Sequence, residues 1–453
     1  MRRVLTLLAL LLLAVYVLCN VRNNTVVNAT EGGEEFVESE VVVKLASVDD
    51  LASIAARYSL DPVPIDQFGS RPIFRLRITD KADVHERVDA LSGDSRVVFA
   101  EPNFIATAPI GGGNTWSVGN TWSVGGDYGA FVSQWAPEKI NLSQAHQVNR
   151  GMGPNGPIKI AVLDTGVDIN HPALAGHLLP GWDFVDNDND ASEEGDQVTG
   201  PYGHGTHVAG LITLVAPEAK IIPIRVLDKR GVGNVWVLAE AVAYALNPDG
   251  DPKTADGADV INLSLSTLRE TELIGNLLEQ ACGSGSSDEQ DFPVSSNPYL
   301  VVVAAAGNGG DTTKQYPAAE NVDGLISVGA STIDDRLASF SSRGSWVQVL
   351  APGEAILSTV PNGQYGTWSG TSMAAPLVAG EAALVRATFP SLLNKDIARH
   401  VIRMSAEIDA DVKFRIDAGI ALTTSSGGDP TPTPTPTPSP TPTPSKPKRG
   451  RQS

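Results

Sequence analysis

Short apolar segments alternate with helical patterns through most of residues 134–422. The apolar segments lack the polar alternation of a half-exposed strand; they are "IKIAVLD", "AKIIPIRVL", "ADVINLSL", "YLVVVAAAG", "LISVGAS" and "VQVLAPG". Strands that are apolar at successive positions are buried on both faces, as in a parallel sheet covered by helices on each side. The pattern therefore predicts an α/β domain with a mostly parallel sheet and helices on both faces.

A different pattern occupies residues 36–106. Strand-like segments ("EVVVKLA", "PIFRLRIT", "RVVFAEPNFIA") alternate with helical ones ("VDDLASIAARYSL", "ADVHERVDALSG") in a βαββαβ order. This order predicts a small, separate α+β domain. Residues 107–133 are rich in glycine and contain the direct repeat "NTWSVGNTWSVG". Because two copies are too few for a solenoid, this stretch is predicted to be an exposed, flexible linker.

Both ends of the chain differ from the domains between them. Residues 1–22 place two arginines before an apolar run of fifteen residues, Val4–Leu18, which is typical of a signal peptide. An uncleaved anchor is the alternative, although the run is shorter than the roughly 20 residues of a spanning helix. Residues 423–453 form a Pro/Thr-rich spacer with a basic end, which is predicted to be extended.

Charge and cysteine content narrow the functional classes. The net charge of −19 over 453 residues argues against a nucleic-acid-binding surface and suits an exported protein. The only cysteines are Cys19, at the edge of the N-terminal apolar run, and Cys282, in a predicted surface insertion "CGSGSSDEQDFPVSSNPY". No structural disulfide is expected, so stability would come from the core or from bound ions.

Chemically useful side chains follow predicted strands and turns. Asp164 ends "IKIAVLD", Asn308 follows "VVVAAAG", and Ser372 begins a predicted helix that runs to about Phe389. Functional residues of an open parallel sheet collect at such strand ends. Acyl transfer by a serine needs a base, a buried carboxylate that orients it, and donors for the oxyanion. His204 supplies the base, and Asn308 with the Ser372 main-chain N–H supplies the donors.

Each of these residues also has a structural interpretation. His204 and His207 are three positions apart, which suits two metal ligands, but no glutamate stands between them as in H-E-x-x-H. Asp164 could cap a turn, although Asp168 is the better candidate for that role. Ser372 could cap a helix, which is compatible with catalysis, and an asparagine before two glycines could be a turn residue.

Four blocks of the sequence resemble the subtilisin-like serine proteases (subtilases, peptidase S8). They are "AVLDTGVDINHPAL", "GHGTHVAG", "VVAAAGN" and "GTSMAAPLVAG", and they occur in the family's order. The resemblance implies a catalytic triad of Asp164, His204 and Ser372, with Asn308 as oxyanion donor and no cofactor for the chemistry. It also implies that His207 is a buried structural histidine.

By resemblance, the substrate peptide binds as an added strand between two edges of the chain. The predicted substrate-binding residues are Gly231, Val232 and Gly233 on one edge and Ser264, Leu265 and Ser266 on the other. Ser266 stands where the family usually has glycine, so it either narrows the first pocket or is a tolerated variant. No acidic residue follows Asn308 directly, and Asp311 is expected to face solvent. We therefore expect broad cleavage after apolar or medium-sized residues.

Aspartates cluster in "GWDFVDNDNDASEEGDQ", shortly before the predicted catalytic histidine. Asp183, Asp186 and Asp188 are candidate Ca²⁺ ligands, since closely spaced loop carboxylates are hard oxygen donors and the block resembles the calcium loop of thermitase-like subtilases. A solvated acidic loop is the alternative. The insertion that builds another common subtilase calcium site is missing after His204, so that site is not expected.

The N-terminal unit resembles the inhibitory propeptide of subtilases, especially at "VVFAEPNFIATAP". The resemblance implies that it templates folding, inhibits the enzyme in the same chain and is removed by a cut between about Thr107 and Gln134. We therefore expect a secreted, self-processing zymogen of a serine endopeptidase that acts on polypeptides. The alternatives are a catalytically silent binding protein and a protein tethered to the cell surface by its tail or an N-terminal anchor.

Overall fold

A computed structural model describes residues 36–108, 123–196, 201–251, 254–282, 300–408 and 414–424. Four predicted features lie wholly or mostly outside these ranges: the export segment, the NTWSVG repeat, the insertion that begins at Cys282, and the Pro/Thr tail. Among the helices of the described ranges, none is both long enough and apolar enough to cross a membrane.

The N-terminal unit has the predicted βαββαβ order. A 3₁₀ turn, Val48–Asp50, precedes its first helix. The elements are β1 (Phe36–Leu45), α1 (Leu51–Arg57), β2 (Asp66–Gln67), β3 (Ile73–Arg77), α2 (Val84–Ser92) and β4 (Val97–Thr107). β1 pairs antiparallel with both β3 and β4. Its alternate residues Val41 and Val43 pack with Ile54 and Leu91 of the helices, whereas Val42 packs into a cluster shared with the larger unit.

The larger unit begins with short elements and then alternates strands with helices. Another 3₁₀ turn lies at Pro172–Leu174. Up to the middle of the unit the elements are β5 (Ser123–Val124), α3 (Tyr128–Val132), α4 (Trp135–Lys139), α5 (Leu142–Ala145), β6 (Met152–Gly153), β7 (Gly156–Pro157), β8 (Lys159–Asp164), β9 (Trp182–Asp183), α6 (His204–Val215), β10 (Lys220–Arg225), β11 (Val232–Asn234) and α7 (Val235–Leu246).

The second half continues the alternation. Its elements are β12 (Val260–Leu263), α8 (Glu272–Ala281), β13 (Val301–Ala305), β14 (Leu325–Ser331), β15 (Val349–Pro352), β16 (Ile356–Val360), β17 (Gln364–Trp368), α9 (Thr371–Thr388), α10 (Asn394–Arg403), β18 (Ala406–Glu407), β19 (Phe414–Arg415) and α11 (Ala418–Thr423). The helix that was predicted to begin at Ser372 is thus α9.

One sheet of nine described strands organises this unit, in the order β18-β19-β15-β14-β13-β12-β8-β10-β9. All its neighbouring pairs are parallel except β18 with β19. Along β8, Ile160 and Val162 join a core that contains residues of α6 and α9, whereas Ala161 and Leu163 join a second core with residues of α7 and α8. The prediction of a mostly parallel sheet covered on both faces is therefore confirmed.

The structure narrows the predicted linker of residues 107–133. Thr107 is the last residue of β4, and residues 109–122 lie outside the described ranges. From residue 123 onward the chain belongs to the larger unit, because β5 pairs antiparallel with β17 and α3 buries Phe131 beside Tyr365. The buried aromatic ring of Phe131 joins this end of the Gly-rich stretch to the larger unit.

Candidate active site

Asp164 and His204 come together at one end of the sheet. Asp164 ends β8, and His204 begins α6, whose first turn lies against the end of that strand. Close contact is possible because residue 205 is glycine: a Cβ there would stand 2.1 Å from the Gly166 carbonyl oxygen. His204 Nδ1 lies 2.7 Å from Asp164 Oδ1, and both side chains are buried. Burial alone would lower the pKa of His204, but the negative charge and hydrogen bond of Asp164 outweigh it and raise this pKa.

His207 has a different environment from His204. It is fully buried, its ring stacks on Trp368 with centroids 5.1 Å apart, and its Nε2 lies 3.2 Å from Ile356 O and 3.1 Å from Gly366 O. Burial, followed by the nearby charge of His204, lowers the pKa of His207 to about 3. This side chain is therefore neutral, and the histidine pair is not arranged as two metal ligands.

Ser372 lies in the first turn of α9, which packs against α6. Gly370, not Ser372, is the N-cap residue, and no side chain caps this helix end. The Ser372 hydroxyl donates to the Ser264 carbonyl at 3.4 Å, while the Ser264 hydroxyl donates to the Ser372 carbonyl at 3.1 Å. The helix-cap interpretation of Ser372 therefore does not describe this site, and Ser264 fixes the serine's main chain.

Asn308 stands beside this turn, after the end of β13. Its Oδ1 accepts hydrogen bonds from Thr371 N at 2.9 Å and from Thr371 Oγ1 at 3.0 Å. Thr371 immediately precedes Ser372, and its hydroxyl also accepts from Gly307 N at 3.0 Å. These bonds fix the orientation of the Asn308 amide next to the predicted nucleophile.

The two predicted edges of the substrate groove are both paired with the end of β4. On one side, Thr107 lies opposite Val232 and Ala106 opposite Gly233, in antiparallel register. On the other side, Thr107 N donates to Ser266 O and Ser266 N donates to Thr107 O, each at 2.8 Å. A further bond joins the next residue, Ala108, to the Gly231 carbonyl at 3.1 Å. The end of the N-terminal unit thus lies as a strand between the two edges.

Beside this strand, Ser266 contacts a residue that the sequence pattern did not single out. Its hydroxyl donates to Gln315 Oε1 at 2.9 Å. The Gln315 side chain covers Gly307, where a Cβ would stand only 2.6 Å from Gln315 Cγ. Ser264, Leu265 and Ser266 are all buried, and among them Ser266 forms the main-chain pair with Thr107.

In the acidic loop, two of the three candidate calcium ligands contact an arginine. Arg225 ends β10 and is buried; its Nη1 lies 2.6 Å from Asp183 Oδ2 and 2.7 Å from Asp186 Oδ2. Its Nη2 lies 2.8 Å from Glu194 Oε2. Asp188 pairs with Asp183 through the main chain. Among the described residues no group of three or more His, Cys, Asp or Glu side chains is arranged to hold a metal ion.

Several residues around the site were not predicted. Arg225 is signalled only by a charge at the end of an apolar strand, and Gln315 by nothing local. Glu193 accepts hydrogen bonds from Thr165, the residue that follows Asp164, and from Thr206. Glu193 belongs to a run of acidic residues, so the sequence alone did not distinguish it from its neighbours.

Comparison with known proteins assigns both parts of the chain. Residues 156–433 match the Subtilase family (peptidase S8), and residues 22–103 match the fervidolysin N-terminal prodomain. The chain is 35% identical to a thermophilic serine proteinase of Bacillus sp. (strain AK1), over 79% of this chain and 80% of that protein. It is 39% identical to thermitase of Thermoactinomyces vulgaris, over 61% of this chain and 88% of that protein.

A solved structure shares the fold of both parts. Fervidolysin from Fervidobacterium pennivorans, a keratinolytic enzyme related to subtilisin, superposes with a TM-score of 0.67 over 89% of this chain and 63% of that one, at 23% identity. Together with the sequence matches, this defines a serine protease with an N-terminal prodomain. The chain belongs to the subtilase family, whose members are hydrolases. The predicted family resemblance is thus confirmed.

Proposed function

We propose that this protein is a secreted, self-processing zymogen of a serine endopeptidase. Ser372 is the nucleophile, His204 the general base, Asp164 the carboxylate that orients it, and Asn308 an oxyanion donor. The observation that carries the proposal is the end of β4, which lies as a strand between the two edges of the groove beside the paired Asp164 and His204.

The reaction follows from the atoms that each residue presents. The Ser372 hydroxyl attacks the scissile carbonyl while His204 Nε2 takes its proton, and Asp164 Oδ1, bonded to Nδ1, stabilises the imidazolium. The Asn308 amide and the Ser372 main-chain N–H, in the first turn of α9, stabilise the oxyanion. His204 then protonates the leaving amine, and water hydrolyses the acyl-enzyme with the same histidine as base.

The strand in the groove supports inhibition by the N-terminal unit within the same chain. Ser266 and Thr107 pair antiparallel, so the chain that leaves β4 through Ala108 runs along this edge in the direction of Ser264. The carbonyl of Ser264 accepts from the Ser372 hydroxyl. We therefore place the maturation bond within one or two residues of position 109, at the near end of the predicted interval.

Substrates are polypeptides bound as an added strand, held by the same main-chain groups that hold residues 105–108. We expect broad specificity, because main-chain bonds do not depend on side-chain identity. Ser266, held by Gln315, makes this side of the groove polar and narrower than a glycine would. Structural calcium at the acidic loop stays a prediction, and it requires Arg225 to share or leave the carboxylates of Asp183 and Asp186.

The self-processing zymogen is tested by intact-mass analysis of the full chain from residue 23 onward beside its Ser372→Ala variant, expressed and purified identically. We expect the parent chain to lose the N-terminal unit by a cut near position 109 and the variant to stay whole. If both chains stay whole, a fluorophosphonate label decides between a zymogen that another protease activates, in which Ser372 is labelled after limited trypsin treatment, and a catalytically silent scaffold, in which it is not.

A further inference from the structure

A second carboxylate lies behind the Asp164–His204 pair. Glu193 is partly buried, and its Oε1 lies 2.5 Å from Thr165 Oγ1. Its Oε2 accepts from the N–H of Thr206 at 3.1 Å and from the Thr206 hydroxyl at 2.7 Å. Three polar contacts, from Thr206 in α6 and from Thr165 after Asp164, therefore hold this side chain. Gly205 N in turn donates to Thr165 Oγ1 at 3.0 Å.

The Thr165 hydroxyl connects the two carboxylates. Its oxygen lies 3.2 Å from Asp164 Oδ1 and 2.5 Å from Glu193 Oε1, but the hydroxyl has one hydrogen and can donate to only one of them. Asp164 Oδ1 also accepts from Thr165 N at 2.8 Å, whereas Oδ2 is buried and has no hydrogen-bond partner among the described residues. The direction of the Thr165 hydroxyl therefore changes how strongly the Asp164 carboxylate attracts the proton on His204 Nδ1.

We propose that Glu193 is a positioning residue of the protease, acting on Asp164 and His204 through the hydroxyl of Thr165. This inference rests on the proposed function, because it assigns a tuning role to a residue that touches neither substrate nor the nucleophile. When Glu193 is protonated, its hydroxyl donates to Thr165 Oγ1, and the Thr165 hydrogen donates to Asp164 Oδ1. When Glu193 is ionised, the Thr165 hydrogen turns to Glu193, and Asp164 loses one donor.

Both effects of ionisation favour the imidazolium form of His204. A carboxylate with one donor fewer binds the Nδ1 proton more strongly, and the added negative charge attracts the positive ring. The pKa of Glu193 is raised to about 7 by burial first and then by the charge of Asp164, against the lowering effect of the two threonines. The charge of Glu193 in turn contributes to the raised pKa of His204.

Other charged groups near Glu193 are few, and the side chain has a route to water. It borders a cavity of ≈ 170 Å³ that is also lined by Asp168 and Tyr202. Its charge raises the pKa of Tyr202, which burial raises first. The titratable groups around Glu193 among the described residues are Asp164 and His204 on one side, and Asp168, Tyr202 and Asp196 towards the cavity.

Glu193→Gln tests the inference, because the amide can donate to Thr165 and accept from Thr206, as a protonated Glu193 would. The matched control is Glu194→Gln, which removes the neighbouring charge from an exposed residue that pairs with Arg225 instead. Rates per active site are measured with a peptide anilide from pH 5 to pH 10, after counting sites with a fluorophosphonate. Counting sites separates tuning from loss of folded enzyme.

We expect Glu193→Gln to shift the acid limb of kcat to lower pH by about half a unit, and to lower kcat above neutrality by roughly threefold at unchanged KM. Glu194→Gln should give no shift, and Thr165→Val should not reproduce the shift to lower pH, because it takes the hydroxyl donor away from Asp164 instead of returning it. Profiles of Glu193→Gln and the parent that superimpose, or equal shifts in both glutamate variants, would overturn the inference.

A second readout does not depend on catalysis. In the full chain carrying Ser372→Ala, nitrogen-15 labelling of histidine allows the protonation of His204 to be followed by NMR as pH is varied. Adding Glu193→Gln should lower the midpoint of this titration by the same half unit or so, and an unchanged midpoint contradicts the inference. If Ser372→Ala retained full activity, the proposed nucleophile would be wrong, while this titration would still test Glu193.

Discussion

The main chain of Thr107 exchanges two hydrogen bonds, each of 2.8 Å, with the main chain of Ser266. The last residue of β4 thereby occupies the groove in the way proposed for a substrate. Both partners bond through the backbone, so the N-terminal unit and a polypeptide substrate compete for the same donors and acceptors. This relationship makes the strength of inhibition depend on single main-chain groups, which can be removed one at a time.

Thr107→Pro should weaken the hold of the N-terminal unit, because proline has no N–H to donate to Ser266 O. A main-chain hydrogen bond contributes about 0.5–1.5 kcal/mol, so we expect about threefold to tenfold faster release of the cut unit. Release is measured as the appearance of activity after self-processing. Thr107→Val keeps the N–H and is the control; release at the same rate in both variants would show that this bond does not hold the unit.

Glu101 should make the release of the N-terminal unit depend on pH. Its carboxylate accepts from Glu272 N at 2.8 Å and Leu273 N at 3.1 Å, at the start of α8. Burial raises its pKa to about 7, and the charges of Glu272 and Glu320 add to the effect. A pKa raised in the complex means that binding takes up a proton, so binding is strongest below the ordinary value of about 4.5 and weakens as pH rises towards 7.

The fraction of the cut unit that co-elutes with the protease should therefore fall between pH 5 and pH 8. Because one pKa unit corresponds to a tenfold change in affinity, we expect a change of at least about tenfold across this interval. Glu101→Gln, which does not titrate, should flatten the dependence. An equally steep dependence in that variant would assign it to another group.

Gln315 should influence which side chain the enzyme accepts in the substrate residue immediately before the scissile bond. Its side chain covers Gly307, next to Asn308, and accepts the hydrogen bond of Ser266. Gln315→Ala removes both contacts, so we expect kcat/KM to rise for peptides with a large apolar side chain at this position and to change little for those with alanine. A panel of peptides that differ only at this position measures the ratio of kcat/KM for a large apolar residue to kcat/KM for alanine. Substitution of the exposed Gln147 is the control, and an unchanged ratio would place Gln315 outside the pocket.

The features that could be predicted from the sequence are those that depend on short segments of the chain. The apolar runs predicted the sheet, and the four blocks around Asp164, His204, Asn308 and Ser372 predicted the family. Contacts between distant segments could not be predicted in this way. Glu193 and Glu194 are neighbours of identical chemistry, yet one turns towards Thr165 and the other pairs with Arg225. Only the tertiary packing of the loop distinguishes them.

Arg225 leads to a prediction about calcium. Its guanidinium lies between Asp183 and Asp186, where a cation bound by these carboxylates would also lie. Arg225→Gln leaves buried Asp183 without its partner, which costs about 3–5 kcal/mol of folding free energy. In the Ser372→Ala background and in EDTA, we expect this variant to have a lower melting temperature than the chain that keeps Arg225. Millimolar CaCl₂ should restore its melting temperature. A fall that calcium does not reverse would exclude these carboxylates as calcium ligands in the variant.

Glu381 should make the folded protein less stable in alkali. It lies in α9, is fully buried, and neither of its carboxylate oxygens has a hydrogen-bond partner among the described residues. Burial raises its pKa well above the ordinary value, the charge of Asp417 adds to this, and Arg415 opposes it. The folded-state pKa of Glu381 is above its unfolded value of about 4.5. Its contribution to the free energy of unfolding is therefore fully present below pH 4.5 and is lost as pH rises towards the folded-state pKa.

Glu381→Met replaces this carboxyl by an apolar side chain of similar length. Removing an unsatisfied buried polar group should raise the free energy of unfolding by about 1–3 kcal/mol, and by more at pH 9 than at pH 5. Urea unfolding in the Ser372→Ala background measures this without self-digestion. Glu381→Gln removes the charge but not the polarity, so it should flatten the pH dependence without the full gain. Loss of stability in the methionine variant at both pH values would mean that Glu381 has a polar partner.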